Sequence, residues 1–393
     1  GIKAKKKRRR KKRNRVGVKR VPSGHWRFLA LILTLGIFSG CTLGRFLVYN
    51  FADIRDYKKF PSRPLKASVE PFHFPVSTNP INPTLHFTDS DPGIKLSEYL
   101  KKTKTVAFLI IRRDSILFEQ YFSGYDRESL VPSFSVGKSF TSALIGCAIA
   151  DGLIKSVDEP AINYLPEWKG RNLDAVTIRH LLQMTSGIRF NESYVNPFGH
   201  AAKFYYGRNL RKYVAKMKPE TAPGTKWQYH SGNTQVLGLI LERALKGKTV
   251  TEYLQEKIWT PIGMERDASW SIDKKKNGME KTFCCLNATA HDYAKFGRLY
   301  LNKGNWNGKQ VVPENWVALS SRPDLTAGGK EWYQFHFWMH RNRKDYFAEG
   351  ILGQFVFISP ENQTIIVRLG KSEGKVDWSA MFGILAKTAR KLP

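Results

Sequence analysis

The sequence predicts an α/β fold in which strands from both ends of the chain join one antiparallel sheet, flanked by helices, with a mainly helical central lobe. Two observations carry this. Strand-like runs concentrate at the front ("TVAFLIIRRDSILFEQYF") and back ("GQFVFISPENQTIIVRLG") of the globular part, while the middle reads as helix or loop. No regular strand–helix–strand alternation occurs that would build a parallel sheet.

Residues 1–27 hold fourteen Lys or Arg and no acid, within a formal net charge of +31. Such an arm suits nucleic acid or a nuclear address, but its neighbour argues for a membrane instead. Residues 28–44 are uncharged and mostly apolar. As a helix they span roughly 25 Å, and Arg45 can snorkel and extend the span to Phe51. Cations ahead of such a segment hold that side in the cytoplasm. The expectation is a basic cytoplasmic arm (1–27), a membrane anchor or signal segment (28–51), and a domain beyond it on the extracytoplasmic side. No nucleic-acid partner is expected. An uncleaved anchor, a cleaved signal and a lipoprotein signal ending at Cys41 ("FSGC") stay open.

Residues 52–90 are rich in proline and read as an extended tether or wrap-around segment. The globular domain, 91–393, begins with a short helix, "SEYLKK", and a hairpin turning at residues 112–115. Three helices follow: "TIRHLLQMTSGI", stopping at Ser186-Gly187; "NTQVLGLILERALKG", closed by Gly247; and "TAHDYAKFGRLYLNKG", with Tyr293, Phe296, Leu299 and Leu301 facing inward. Two late strands joined by residues 360–363 and an amphipathic helix end the domain. The four cysteines (Cys41, Cys147, Cys284, Cys285) have no metal-ligand spacing, so no metal site is expected; Cys147 reads as a core residue.

Serine precedes lysine by three residues at Ser135/Lys138, Ser271/Lys274 and Ser372/Lys375. The second and third lead into charged, glycine-bearing stretches that read as surface loops. Ser135 instead opens an apolar helix whose face runs through Val136, Phe140, Leu144, Cys147 and Ala148. Lys138 then lies beside Ser135, desolvation lowers its pKa, and the helix N-terminus favours a developing oxyanion. These conditions activate a serine nucleophile, although a capping serine with a solvated lysine accounts equally well for the fragment alone. "GKSEG" at 370–374 matches the Gly-x-Ser-x-Gly elbow, but no histidine follows Ser372 to complete a triad.

The helix "PSFSVGKSFTSALIGCAIADGLI", with "VDEPAINYLPEW", "PGTKWQYHSGNTQVLGLILE" and "FAEGILGQFVFISP", resembles the serine β-lactamase and penicillin-binding-protein superfamily. Within it, the blocks are most similar to class-C-like esterases and 6-aminohexanoate-dimer hydrolases, over roughly residues 90–393. The resemblance implies a β-lactamase/transpeptidase-like fold and a serine hydrolase of amides or esters without a cofactor. It implies Ser135 as nucleophile, Lys138 as neighbouring base, and Tyr229 as the tyrosine of a Tyr-x-Asn element. Ser231 stands where asparagine is usual. A Tyr229 beside a cationic lysine is expected to lose its proton more easily, so lysine and tyrosine both stay open as the base. "EGILGQ" at 349–354 replaces the Lys-Thr-Gly or His-x-Gly of many relatives on the strand edging the site. Gly350 and Gly353 there admit substrate to the backbone, and the Ile351 and Ser135 N–H groups form the oxyanion hole. Tyr194 is a further candidate for hydrogen bonding substrate. The partner implied is a small-molecule or short-peptide amide or ester. Cell-wall peptidase, β-lactamase and non-catalytic binder remain as alternatives, and the oligomeric state is open.

Overall fold

A computed structural model describes residue 45 and residues 52–88, 91–194, 196 and 198–391. The basic arm, Cys41 and the rest of the apolar segment lie outside these residues. Among the described residues, no helix is long and apolar enough to cross a membrane.

The strands in chain order are β1 (Ser62–Leu65), β2 (Thr84–Leu85), β3 (Ile94–Lys95), β4 (Thr105–Arg112), β5 (Ser115–Tyr121), β6 (Val131–Pro132), β7 (Ala268–Ser271), β8 (Leu286–Ala288), β9 (Asn305–Trp306), β10 (Lys309–Gln310), β11 (Tyr333–Gln334), β12 (Phe337–Met339), β13 (Tyr346–Gly350), β14 (Gln354–Ser359) and β15 (Thr364–Gly370). Seven form one antiparallel sheet in the order β11-β12-β13-β14-β15-β4-β5, so the late strands do pair with the early hairpin. The continuous apolar run of β4 follows from its position. Leu109 and Ile111 face the helical lobe, while Phe108 and Ile110 face the C-terminal helix Trp378–Arg390, which buries Phe382 and Leu385 against that side. The helix Ala290–Leu301 lies on the lobe side of the sheet. A Cβ on its Gly297 would come within 2.8 Å of Ile365 Cγ2, so glycine lets helix and sheet approach closely.

A second sheet, β1-β7-β8-β6, was not expected: its strands are only two to four residues long, too short to show alternation. It makes Ser271 a buried strand residue, held by Asn287 Nδ2 at 3.2 Å, where a surface loop was expected. The proline-rich segment lies along this sheet. β1 pairs with β7, and Ile54, Phe60, Leu65 and Phe74 enter the main core.

Two helices differ from expectation. The Gly137–Ala150 helix is buried all round from Gly137 to Ala148, not on one face. It is the central helix of the lobe, and a Cβ on Gly146 would meet the Trp316 ring at 2.3 Å. The "TIRHLL" helix ends at Leu182, well before Ser186, where Met184 takes a left-handed φ of 63°.

Candidate active site

The short sheet places the Ser135 turn. Ser133, just after β6, donates its N–H to Leu286 O of β8 at 2.7 Å, and its Oγ accepts from Leu286 N at 3.2 Å. Phe134 then adopts φ 44°, a left-handed conformation costing on the order of 1–3 kcal/mol for a residue with a β-carbon. A single 3-10 turn, Phe134–Val136, carries Ser135, so the serine sits immediately before the helix and not within it. Gly137 fits tightly: a Cβ there would lie 3.0 Å from Ser133 Oγ and 3.3 Å from the Cys284 carbonyl.

Lys138, in the first turn of the helix, is 1% exposed. Its Nζ donates to Ser135 Oγ (2.8 Å), Ser231 Oγ (3.1 Å) and Phe283 O (3.0 Å). Burial pulls its pKa down to about 8, partly offset by the charge of Glu192. The shift has the direction expected from the sequence, and the amine gains its lone pair as pH rises through about 8.

Tyr229 departs from expectation. Lys138 Nζ sits over the face of its ring, 5.1 Å from the centroid, and the ring stacks on Trp338. Burial and then the charges of Glu192 and Glu349 push the phenol well above its ordinary pKa; a hydrogen bond with Ser135 opposes them only in part. Tyr229 thus holds its proton more firmly than a free tyrosine, the reverse of the sequence expectation. His230, next to it, is buried and neutral, its pKa drawn down to about 3 by burial. Its Nδ1 caps the Ser231–Ala244 helix by accepting from Asn233 N at 3.3 Å.

Ser231 is held from the far side by Glu192. The carboxylate accepts from Ser231 N (2.7 Å), Ser231 Oγ (2.6 Å) and the Tyr194 hydroxyl (2.6 Å). Tyr194 is 42% exposed and lines the cavity beside Ser135, but its single proton is committed to Glu192. Toward a substrate it offers a lone pair.

The "EGILGQ" segment is a hairpin turn and not a continuous strand, since β13 ends at Gly350 and β14 begins at Gln354. A Cβ on Gly350 would fall 2.5 Å from Ser133 O and 2.9 Å from Ser135 N, so only glycine lets the turn close onto the serine. Gly353 takes φ 80°, and its carbonyl accepts from Arg368 Nη1 at 2.6 Å. Gln354 Nε2 donates to Ile351 O (3.1 Å) and to Gly370 O (2.9 Å). These bonds fix Ile351 at the mouth of the site.

A cavity of about 240 Å³ opens beside Ser135, walled by Phe134, Tyr205, Tyr206, Phe283, Ile351 and Leu352 among others, with no charged side chain in its lining among the described residues. Cys284, also in the wall, is disulfide-bonded to Cys285. A larger surface groove of about 950 Å³ near Tyr300 and Arg343 includes none of the residues above.

Comparison with known proteins bears on the family and the fold. The family model described as Beta-lactamase matches residues 95–389. The chain belongs to the beta-lactamase family. A 6-aminohexanoate-dimer hydrolase of Paenarthrobacter ureafaciens is 29% identical over 296 residues, covering 70% of this chain and 74% of the relative. A candidate 6-aminohexanoate-dimer hydrolase from Bacillus anthracis superposes with a TM-score of 0.77 at 24% identity, covering 88% of this chain and 95% of that one. A family VIII carboxylesterase shares the fold at a TM-score of 0.60 and 16% identity, covering 75% of this chain and 95% of its own.

Ser135, Ser231, Ile351 and Tyr194 line one cavity, Lys138, Tyr229 and Gly350 lie against Ser135 behind it, and Gly353 supports the turn. Sequence reading missed Glu192 and the Phe283 carbonyl. Glu192 stands two residues from Tyr194 in "NESYVNP", and the neighbouring tyrosine was the only signal for it. A backbone carbonyl leaves no residue-type signal at all. Trp332, Phe335 and Trp338 do not line the cavity; Trp338 instead supports the Tyr229 ring. Among the described residues, no cluster of three or more His, Cys, Asp or Glu could hold a metal ion.

Proposed function

We propose that this beta-lactamase-family serine hydrolase cleaves an amide or ester bond through an acyl-enzyme on Ser135. The observation that carries the reading is Lys138 Nζ, shielded from water and 2.8 Å from Ser135 Oγ, with no carboxylate in contact among the described residues. Neutral Lys138 takes the Ser135 proton as Oγ bonds to the carbonyl carbon, and the carbonyl π pair moves to oxygen between the Ser135 and Ile351 N–H groups. The lysine ammonium then returns a proton through the Tyr229 hydroxyl to the leaving nitrogen or oxygen as that bond breaks. A water molecule, deprotonated by the same lysine, attacks the acyl carbon, and Ser135 leaves with its proton restored. The raised pKa of Tyr229 favours a relay that keeps its proton at rest, with Lys138 as the base.

The uncharged wall of the cavity favours an apolar acyl or leaving group. The 6-aminohexanoate-dimer hydrolase relative supports amide cleavage. The turn at 349–354 carries no cation or hydroxyl to meet the carboxylate of a β-lactam or peptide. A fluorophosphonate should label the protein, and Ser135→Ala should abolish labelling. A panel of esters, short linear amides, D-amino-acid peptides and penicillins then ranks substrates, with the first two expected to lead. No labelling, and no hydrolysis across the panel, overturns the catalytic reading in favour of a binding protein.

From the sequence we also infer that residues 28–51 tether the catalytic domain on the extracytoplasmic side of a membrane. Fractionation and protease accessibility of the full chain test this, and recovery wholly in the soluble cytoplasmic fraction refutes it.

A further inference from the structure

Resting on the serine hydrolase reading, we propose that Glu192 is a positioning residue. By taking the Ser231 hydroxyl proton it leaves Ser231 an acceptor, and so aims the lone pair of neutral Lys138 at Ser135.

A count of protons assigns these roles. Three partners surround Lys138 Nζ: Ser135 Oγ at 2.8 Å, Phe283 O at 3.0 Å and Ser231 Oγ at 3.1 Å. A neutral amine offers two N–H bonds and one lone pair, so one partner must donate to it. Phe283 O is a carbonyl and can only accept. Ser231 has one hydroxyl proton, and Glu192 Oε1 lies 2.6 Å from Ser231 Oγ. An ionised carboxylate can only accept, so that proton points to Glu192 and Ser231 can only accept from the lysine. Ser135 is then the one partner able to donate to Lys138, and this is the geometry proton abstraction needs.

Glu192 is itself held in place. Its Oε2 accepts from Ser231 N at 2.7 Å, and its Oε1 also accepts from the Tyr194 hydroxyl at 2.6 Å. A rotation that broke the Ser231 Oγ bond would break these as well. A chain of four bonds therefore runs Tyr194–Glu192–Ser231–Lys138–Ser135, and Glu192 acts on the nucleophile only through it. Its charge has a second effect: it opposes the lowering of the Lys138 pKa by burial. Without it, the lysine loses its proton at still lower pH.

The test measures the rate of Ser135 labelling by a fluorophosphonate against pH in the full chain, alongside Tm. In Glu192→Gln the amide nitrogen can donate to Ser231, freeing the serine proton to occupy the lysine lone pair. We expect the plateau rate to fall tenfold or more and the acid limb to move to lower pH, while Tm stays near wild type. Glu192→Asp keeps charge and acceptor, and should restore the wild-type acid limb with part of the rate. Ser231→Ala should slow labelling at least tenfold. The Glu192→Gln/Ser231→Ala double variant should be no slower than Ser231→Ala alone, because both act through one bond. An unchanged rate and limb in Glu192→Gln overturns the proposal. So does a fall in rate that tracks Tm with no movement of the limb. If Glu192→Gln fails to fold, Ser231→Ala decides, and wild-type labelling there refutes the role. Labelling that survives Ser135→Ala would instead sink the serine hydrolase reading itself.

Discussion

Lys138 and Lys295 are both shut away from water, at 1% and 0% exposure, yet their surroundings differ in kind. Lys295 Nζ lies 3.1 Å from Asp292 and 3.3 Å from Glu265, and the same Glu265 also meets Arg127 and His73. Lys138 meets two hydroxyls and a carbonyl. Charged partners lock an ammonium in place, whereas neutral acceptors leave a buried amine free to lose its proton. Lys281 shows that the second half of this rule is not enough. Burial pulls its pKa to about 7, but it sits over the Phe60 and Tyr205 rings and donates to Tyr205 O, with no hydroxyl among its hydrogen-bond partners in the described residues. A depressed lysine becomes a base only where a nucleophile shares its shell.

The sharpest way to break this contrast is to remove each amine in turn. Lys138→Met should cut the Ser135 labelling rate on the order of 10³-fold, within the range for loss of a general base, with Tm at or above wild type. A folded Lys138→Met protein that labels normally would leave the lysine without a catalytic role. Lys295→Met should do the opposite. It leaves two buried carboxylates short of a partner and costs roughly 3–5 kcal/mol in denaturant unfolding, while the folded fraction still labels at Ser135.

Acid should attack the structural cluster first. Glu265 is pushed upward by burial, but Lys295, His291 and Arg127 outweigh this and hold its pKa at about 2, against an ordinary 4.5. Because the folded value is the lower one, its contribution is complete above the ordinary value. About 3 kcal/mol should then be lost as pH falls from about 4.5 toward 2. Unfolding free energies that stay flat across that window would contradict the assignment. Lys138 should respond on the other side of neutrality. With its pKa near 8, kcat/KM should rise about tenfold from pH 7 to a plateau above pH 8. The smallest effect expected is at the disulfide. Cys284→Ser/Cys285→Ser should slow labelling only a few-fold, by loosening the Phe283 carbonyl that orients Lys138.

Much of this was legible in the sequence, and unevenly so. β4 and β15 declared themselves because each is a run of seven or eight residues whose burial dictates their type. The second sheet was hidden because a strand such as Val131–Pro132 makes too few side-chain choices to form a pattern. At the site, Ser135, Lys138 and Tyr229 could be found from residue type and order along the chain. Glu192 and Phe283 could not, because their roles depend on contacts spanning 39 and 145 residues. The direction of the Tyr229 shift was misjudged for a related reason. Order along the chain placed the lysine near the tyrosine, but only geometry shows that the cation lies over the ring while two carboxylates act on the hydroxyl.

The sheet that unites the two ends of the domain also ties the surroundings of Ser135 to strands far away in the chain. β4 is made early and waits for β15, and Arg368 reaches back to Thr105 across 263 residues. The turn that closes onto Ser135 is stapled by the same late strand, through Arg368 and Gly370. A chain lacking β15 therefore keeps Ser135 but loses the bonds that hold this turn against it. The geometry around Ser135 is thus a property of the whole sheet and not of the segment that carries the serine.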